Sequence, residues 1–153
     1  MPEDFDENEE FETPPPFFPY GSDEPLPDFE PVEVTVEGLY VAESNGSVQR
    51  FVMLADESGR RMPIIIGLFE ATAISMAMES EKPDRPMTHD LIRTLLDRLG
   101  GTLTSVLIDD IWTNTYYAKL TIATNSGELD VDCRPSDAIA LALRTGSRIF
   151  VSE

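Results

Sequence analysis

Two short stretches set an arginine, a proline, a hydroxyl and a carboxylate in the same order: "RPMTHD" at residues 85–90 and "RPSD" at residues 134–137. Each opens a segment with helical periodicity, and a helix start presents unpaired backbone N–H groups that favour anions. Arg85 and Arg134 beside two such starts, with the hydroxyls of Thr88 and Ser136, would make a convergent cradle for phosphate. Glu70, Asp90 and Asp137 are the acids that would hold a divalent metal such as Mg or Mn, which would offset their own repulsion of a polyanion. His89 is the single histidine and the candidate general base or leaving-group acid, so that His89, Asp90 and Asp137 make up the catalytic set.

A second account explains the same residues without chemistry. Thr88 caps its helix, Asp90 complements the helix dipole, and at about 100° per residue His89 points elsewhere. Pro135 suits a first helical turn, Ser136 caps, Asp137 complements the dipole and Arg134 pairs with it. The two accounts part on one geometric point. Chemistry requires Arg85, Asp90, Arg134 and Asp137 in one shared pocket, within a subunit or across a dimer interface; capping leaves the two starts free to lie apart.

The elements that must position these residues follow from the periodicity. "VEVTVEGLYVAE" from Val32 alternates and changes phase at Gly38, as a bulge requires, and Asn45-Gly46 is a hairpin turn signal. "VQRFVMLAD" and "RMPIII" complete a three-stranded antiparallel meander. "LFEATAISMAME" is apolar almost all round and predicts a buried helix packed on two sides. "THDLIRTLLDRLGG" predicts an amphipathic helix with Leu91, Ile92, Leu95, Leu96 and Leu99 on its core stripe and Gly100 as its stop. "TLTSVLIDDIW" and "YYAKLTIATNSGELDVDC" give three more strands, "SDAIALALRTG" a third helix closed by Gly146, and "RIFVSE" one last strand. The expected fold is α+β, one compact domain over residues 32–153, with three helices on a mixed, mainly antiparallel sheet of about six to seven strands. "EATAISM" and "DAIALAL" echo each other weakly, as a duplicated strand-helix unit or two Ala-rich helices would.

Composition narrows the function classes. Of the 29 acids, 11 fall in residues 1–31, which hold no Lys or Arg and eight of the 12 prolines; the remainder carries 18 acids against 11 bases, a net −7. The first segment is expected to be a disordered acidic arm. A −7 domain lacks the electrostatic footprint of a general nucleic-acid binder, so nucleic acid is disfavoured as a partner on charge alone. With Lys82 and Lys119 the only lysines, any basic patch is made of arginines. No run of 18 apolar residues occurs and the N-terminus is acidic, so no membrane partner and a cytoplasmic location are expected. Cys133 sits in an alternating pattern as a small buried hydrophobe, and one cysteine excludes an internal disulfide or a cysteine zinc site. The row Glu128, Asp130, Asp132 reads as a solvated sheet face partly balanced by Lys119. No Gly-x-Ser-x-Gly nucleophile, phosphate loop or His-rich metal spacing points to another enzyme, and no organic cofactor is expected.

Three motifs, "MPIIIGLFEATAI" (62–74), "RPMTHDL" (85–91) and "DCRPSDAIALALR" (132–144), resemble the bifunctional nuclease domain family in order and spacing, and the resemblance covers about residues 32–153. It implies DNase and RNase activity and a compact α+β protein able to form homodimers, which suits two helices too apolar for one small monomer to cover. Carried over by motif, the residues to watch are Glu70, Arg85, Thr88, His89, Asp90, Arg134, Ser136 and Asp137. The expected function is metal-assisted hydrolysis of phosphodiesters in DNA or RNA; the rival is a non-catalytic dimeric module that binds an anionic small ligand or a protein partner.

Overall fold

In the computed structural model, residues 30–112 and 115–152 are described, so the acidic arm lies outside them apart from Glu30 and Pro31. The chain first builds the expected meander of β1 (Val32–Ser44), β2 (Ser47–Ala55) and β3 (Arg61–Ile66). Asn45 and Gly46 both have positive φ, 51° and 77°, the combination that a two-residue hairpin turn needs and these two residue types tolerate. The phase change at Gly38 is a register shift against β2. A second antiparallel meander follows, of β4 (Thr102–Trp112), β5 (Thr115–Thr124) and β6 (Gly127–Cys133).

The short last strand, β7 (Arg148–Val151), joins the two. It pairs antiparallel with β1 and parallel with β4, giving one seven-stranded sheet in the order β3-β2-β1-β7-β4-β5-β6. The three helices are α1 (Leu68–Met78), α2 (Thr88–Arg98) and α3 (Pro135–Thr145). Because β6 and β7 are both parallel to β4, α3 must cross over β5 and β4 to connect them, and it packs on both. This crossover puts the most apolar helix at the centre: Ala138, Ile139, Ala140, Leu141 and Ala142 are all buried, and the small alanines let α1 and α2 close in on it. Together with Leu54, Ile74, Val106 and Ile108 they form one core, each large aliphatic contributing ~1.5–3 kcal/mol on burial. Among the described residues the fold is therefore α+β, with three helices and a mixed, mainly antiparallel sheet.

Two helix expectations need correction. α1 is not the buried helix expected: only Ile74 is buried, while Leu68, Phe69 and Met78 are exposed, Phe69 at 84%. It rests on β2 and α3, and among the described residues no element packs against its outer flank as closely. In α2 the apolar stripe is split. Ile92 and Leu96 pack on the core, whereas Leu91, Leu95 and Leu99 face out. The third inward residue is His89, three before Ile92 and seven before Leu96, so it does not point away as the capping account had it. None of the helices is long and apolar enough to cross a membrane.

Candidate functional site

All three helices begin alike, and not as the sequence reading had it. Their N-caps are Gly67, Met87 and Arg134, none with a side-chain cap. Thr88 is thus the first residue of α2, not its cap, and Ser136 is the buried second residue of α3, displaced from the cap by Pro135, whose fixed φ suits it to the first helical position. The third helical position carries the acid each time: Glu70, Asp90 and Asp137. From there a carboxylate can reach back to the N-cap, as Asp90 Oδ2 does in accepting the Met87 backbone N–H at 3.0 Å. Glu70 folds back so closely over Gly67 that a Cβ there would stand 2.3 Å from its Oε2.

Two of these acids, one arginine and the histidine meet. Arg134 donates to Asp137 through Nε (2.8 Å to Oδ2) and Nη2 (3.0 Å to Oδ1), and to Glu70 Oε1 through Nη1 (2.9 Å). His89 Nε2 lies 2.9 Å from Asp137 Oδ1. The cluster so ties the starts of all three helices, with His89 itself 8% exposed and the Arg134 side chain 63% exposed. Burial pushes the Asp137 carboxyl up, but the hydrogen bonds from Arg134 and His89 and the positive charge beside it prevail, and its pKa is lowered. The bonds and charge of Asp137, then of Glu70, raise that of Arg134. Asp137 is therefore ionised at neutral pH and lies against the imidazole Nε2, so that Nδ1 is the ring nitrogen it does not engage.

Asp90 belongs to a second assembly. Its Oδ1 accepts from Arg144 Nε at 2.9 Å, and Arg144, whose side chain is 6% exposed, is steadied by a further bond from Nη1 to Ala140 O. Burial raises the Asp90 carboxyl, the Met87 N–H and Arg144 lower it, and the net direction is down. Glu70, Asp90 and Asp137 thus do not stand as one ligand set: two share Arg134, and the third is held by Arg144. Among the described residues no group of three or more His, Cys, Asp or Glu side chains is placed to hold a metal ion. Arg85 is exposed and makes no ion pair or hydrogen bond among the described residues, so the shared pocket joins Arg134 and Asp137 with Glu70 and His89 but includes neither Arg85 nor Asp90 in its bonded network.

Arg144 was not singled out in the sequence, although a signal existed: it is the one charge in the otherwise apolar body of "AIALALR". Cys133 is no competing nucleophile, because burial, then Asp137 and Asp132, push its thiol up to about 12. In the acid row, Asp130 takes a bond from Thr121 and an ion pair from Lys119, as a balanced sheet face should.

Comparison with known proteins finds the family model of the bifunctional nuclease domain matching residues 52–153, from β2 to the end and across all three helix starts. Two uncharacterized proteins of Mycobacterium tuberculosis strains are 42% identical over 122 residues, 79% of this chain and 71% of theirs. Bifunctional nuclease 1 of Arabidopsis thaliana is 28% identical over 103 residues, 65% of this chain and 32% of its own length. Bifunctional nuclease 1 of Oryza sativa subsp. japonica is 27% identical over 94 residues, 60% of this chain and 28% of its own. The match thus spans about a third of the plant nucleases.

Proposed function

This chain belongs to the bifunctional nuclease domain family, and from that premise we propose that it cleaves phosphodiester bonds in DNA or RNA at the Arg134–Asp137–His89 cluster. The observation that carries the reading is the His89–Asp137 hydrogen bond of 2.9 Å, beside an exposed guanidinium. In this scheme His89 Nδ1 takes a proton from the water that attacks phosphorus while Asp137 stabilises the imidazolium; the P–O bond to the leaving sugar oxygen breaks, solvent protonates that oxygen, and the imidazolium returns its proton to solvent. Arg134 and Arg85, which has no partner among the described residues, take the phosphate charge. Nothing in the scheme is routed through a metal, since the three acids do not offer one ligand set; a requirement for Mg or Mn is a separate arm of the test.

One observation favours the non-catalytic reading. With neutral His89, the cluster of Glu70, Asp137 and Arg134 carries a net negative charge, and the donors of Arg134 are engaged on both acids. A phosphate must therefore displace Glu70 or enter by way of Arg85. The deciding experiment is cleavage of single-stranded DNA and RNA by purified protein, with Mg, with Mn and with chelator, alongside His89→Ala and Asp137→Asn. Activity lost in both variants supports the nuclease. Activity that persists in both, or that tracks a contaminant through chromatography, moves the protein to the anion- or partner-binding class.

The proposal includes a homodimer. Phe69 and Leu68 on α1 and Leu91, Leu95 and Leu99 on α2 are exposed in the single chain, and a second copy would bury such surface. Light scattering that gives one chain's mass at micromolar concentration would remove this part and leave the chemistry standing.

A further inference from the structure

The geometry points to Asp90 and Arg144 as a positioning pair: their contact orients the first turn of α2 on α3 and thereby holds the His89 ring on Asp137. The inference deepens the reading of His89 as the proton-transfer group and rests on it for its functional meaning, though not for its structural content.

The argument begins with adjacency. His89 and Asp90 are consecutive, so their side chains leave α2 about 100° apart, and both end on α3. His89 meets Asp137 in the first turn of α3, while Asp90 meets Arg144 in its last, seven residues further on, a rise of ~10.5 Å. A helix held to its neighbour at one point can still roll about its own axis; held at two points of different azimuth it cannot. The second point is rigid in its own right. Arg144 is almost fully buried, its Nη1 is tied to Ala140 O, and Arg93 of α2 donates to the Arg144 carbonyl at 3.2 Å. Asp90 is equally fixed, with one oxygen on Arg144 and the other on the Met87 N–H. The acid that looks catalytic beside His89 in "THD" thus acts through it, and the residue that completes the arrangement lies 54 positions away.

The single histidine makes the test direct, because its ring nitrogens are one unambiguous NMR reporter. In the full-length protein, His89 is expected to carry its proton on Nε2, with that N–H protected from solvent exchange. Arg144→Met removes the guanidinium while keeping a long apolar side chain in the buried position. It should speed exchange of the ring N–H about tenfold or more and move the ring toward the mixed tautomers of Asp137→Asn, with Arg144→Lys intermediate. Sheet amides of β4 and β5 measured in the same samples separate this from a global loss of stability, which would speed ring and sheet alike. If Arg144→Met does not fold, Arg144→Lys alone is read: a loosened ring supports the pair, and an unchanged ring overturns it. Ring protection unchanged in a folded Arg144→Met protein likewise overturns it. Nuclease assays on the same variants distinguish the two levels. A loosened ring together with a fall in kcat at constant KM supports both readings, and a loosened ring in a protein with no nuclease activity at all removes the nuclease reading alone.

Discussion

The two Arg-Pro starts look like copies, yet they serve differently, and the difference is one of spacing. In "RPSD" the arginine is the N-cap and stands three residues before the acid, so its guanidinium folds onto Asp137 and still reaches Glu70 on α1. In "RPMTHD" two more residues intervene, the N-cap is Met87, and Arg85 stands five before Asp90. Arg85 is left outward, and the acid takes its cation from the far end of α3 instead. A helix start with the arginine at the cap becomes a junction; one with the arginine two residues earlier becomes a clamp plus a free surface charge.

The strongest way to break that comparison is to neutralise the two acids in turn. Asp137→Asn removes the negative charge facing His89 and one of the two oxygens that accept from the Arg134 fork, and nuclease activity should fall by ~10²–10⁴. Asp90→Asn keeps an acceptor for the Met87 N–H but weakens the Arg144 bond. It should cost about 1–3 kcal/mol in stability by chemical denaturation and reduce activity less than Asp137→Asn does. Equal activity losses would mean that the two starts are equivalent and that Asp90 has a direct role.

The arginines give the next largest effect. Arg134→Ala should lower kcat/KM by ~10–100-fold, since it touches both acids and the proposed phosphate position. Arg85→Ala, lacking structural partners among the described residues, should leave the thermal midpoint unchanged, raise KM severalfold and reduce the salt slope of nucleic-acid binding by about one. A destabilised Arg85→Ala would refute its assignment as a free surface cation.

Much of this was legible in the sequence. The first meander, the Asn45-Gly46 turn and the Gly38 bulge follow from local chemistry, α2 from its periodicity, and α1 and α3 from their apolar, Ala-rich runs. The local signals do not specify that β7 inserts between β1 and β4, because strand partners are set by the whole sheet. At the site, the spacing of "RPSD" foretold the Arg134–Asp137 pair, and the type of His89 foretold its candidacy. Its inward face was readable from Ile92 and Leu96 but was masked by the leucine stripe, which is wider than the surface α3 leaves for it to cover. Arg144 showed only as a lone charge in an apolar run, and its partner was hidden because a long-range ion pair has no sequence period.

Acid titration sharpens the comparison further, with a smaller effect. Asp90 and Asp137 both have lowered pKa values, so the folded state binds fewer protons than the unfolded chain. Their stabilisation is complete above the ordinary carboxylate range and is lost as pH falls through the folded values. The thermal midpoint of the wild type should therefore drop below about pH 4 more steeply than that of Asp137→Asn or Asp90→Asn, with each pair of curves converging in acid. A gap that stays constant from pH 7 to pH 3 would show that the missing carboxylate's stabilisation was not electrostatic.

The smallest effect concerns the third helix start, where a glycine takes the position that Met87 and Arg134 hold in the others. Gly67 has φ −79°, which any residue adopts, so backbone freedom does not require glycine there. What an added Cβ would meet is the Glu70 carboxylate, with Oε2 at 2.3 Å, and this is the mobile end of a side chain that can swing away. Gly67→Ala should therefore destabilise by no more than about 1 kcal/mol, the size of the preference for Gly over Ala at an N-cap. Its consequence lies elsewhere: Glu70 is displaced, and Arg134 loses the carboxylate that Nη1 holds while keeping Asp137 on Nε and Nη2. Since Glu70 competes with phosphate for that donor, Gly67→Ala and Glu70→Gln should both lower KM for a nucleic-acid substrate about two- to threefold, with a fall of no more than a few degrees in the thermal midpoint. If KM rises instead in both variants, Glu70 holds Arg134 in its working position rather than competing for it, and the α1 start belongs to the junction as fully as the α3 start does.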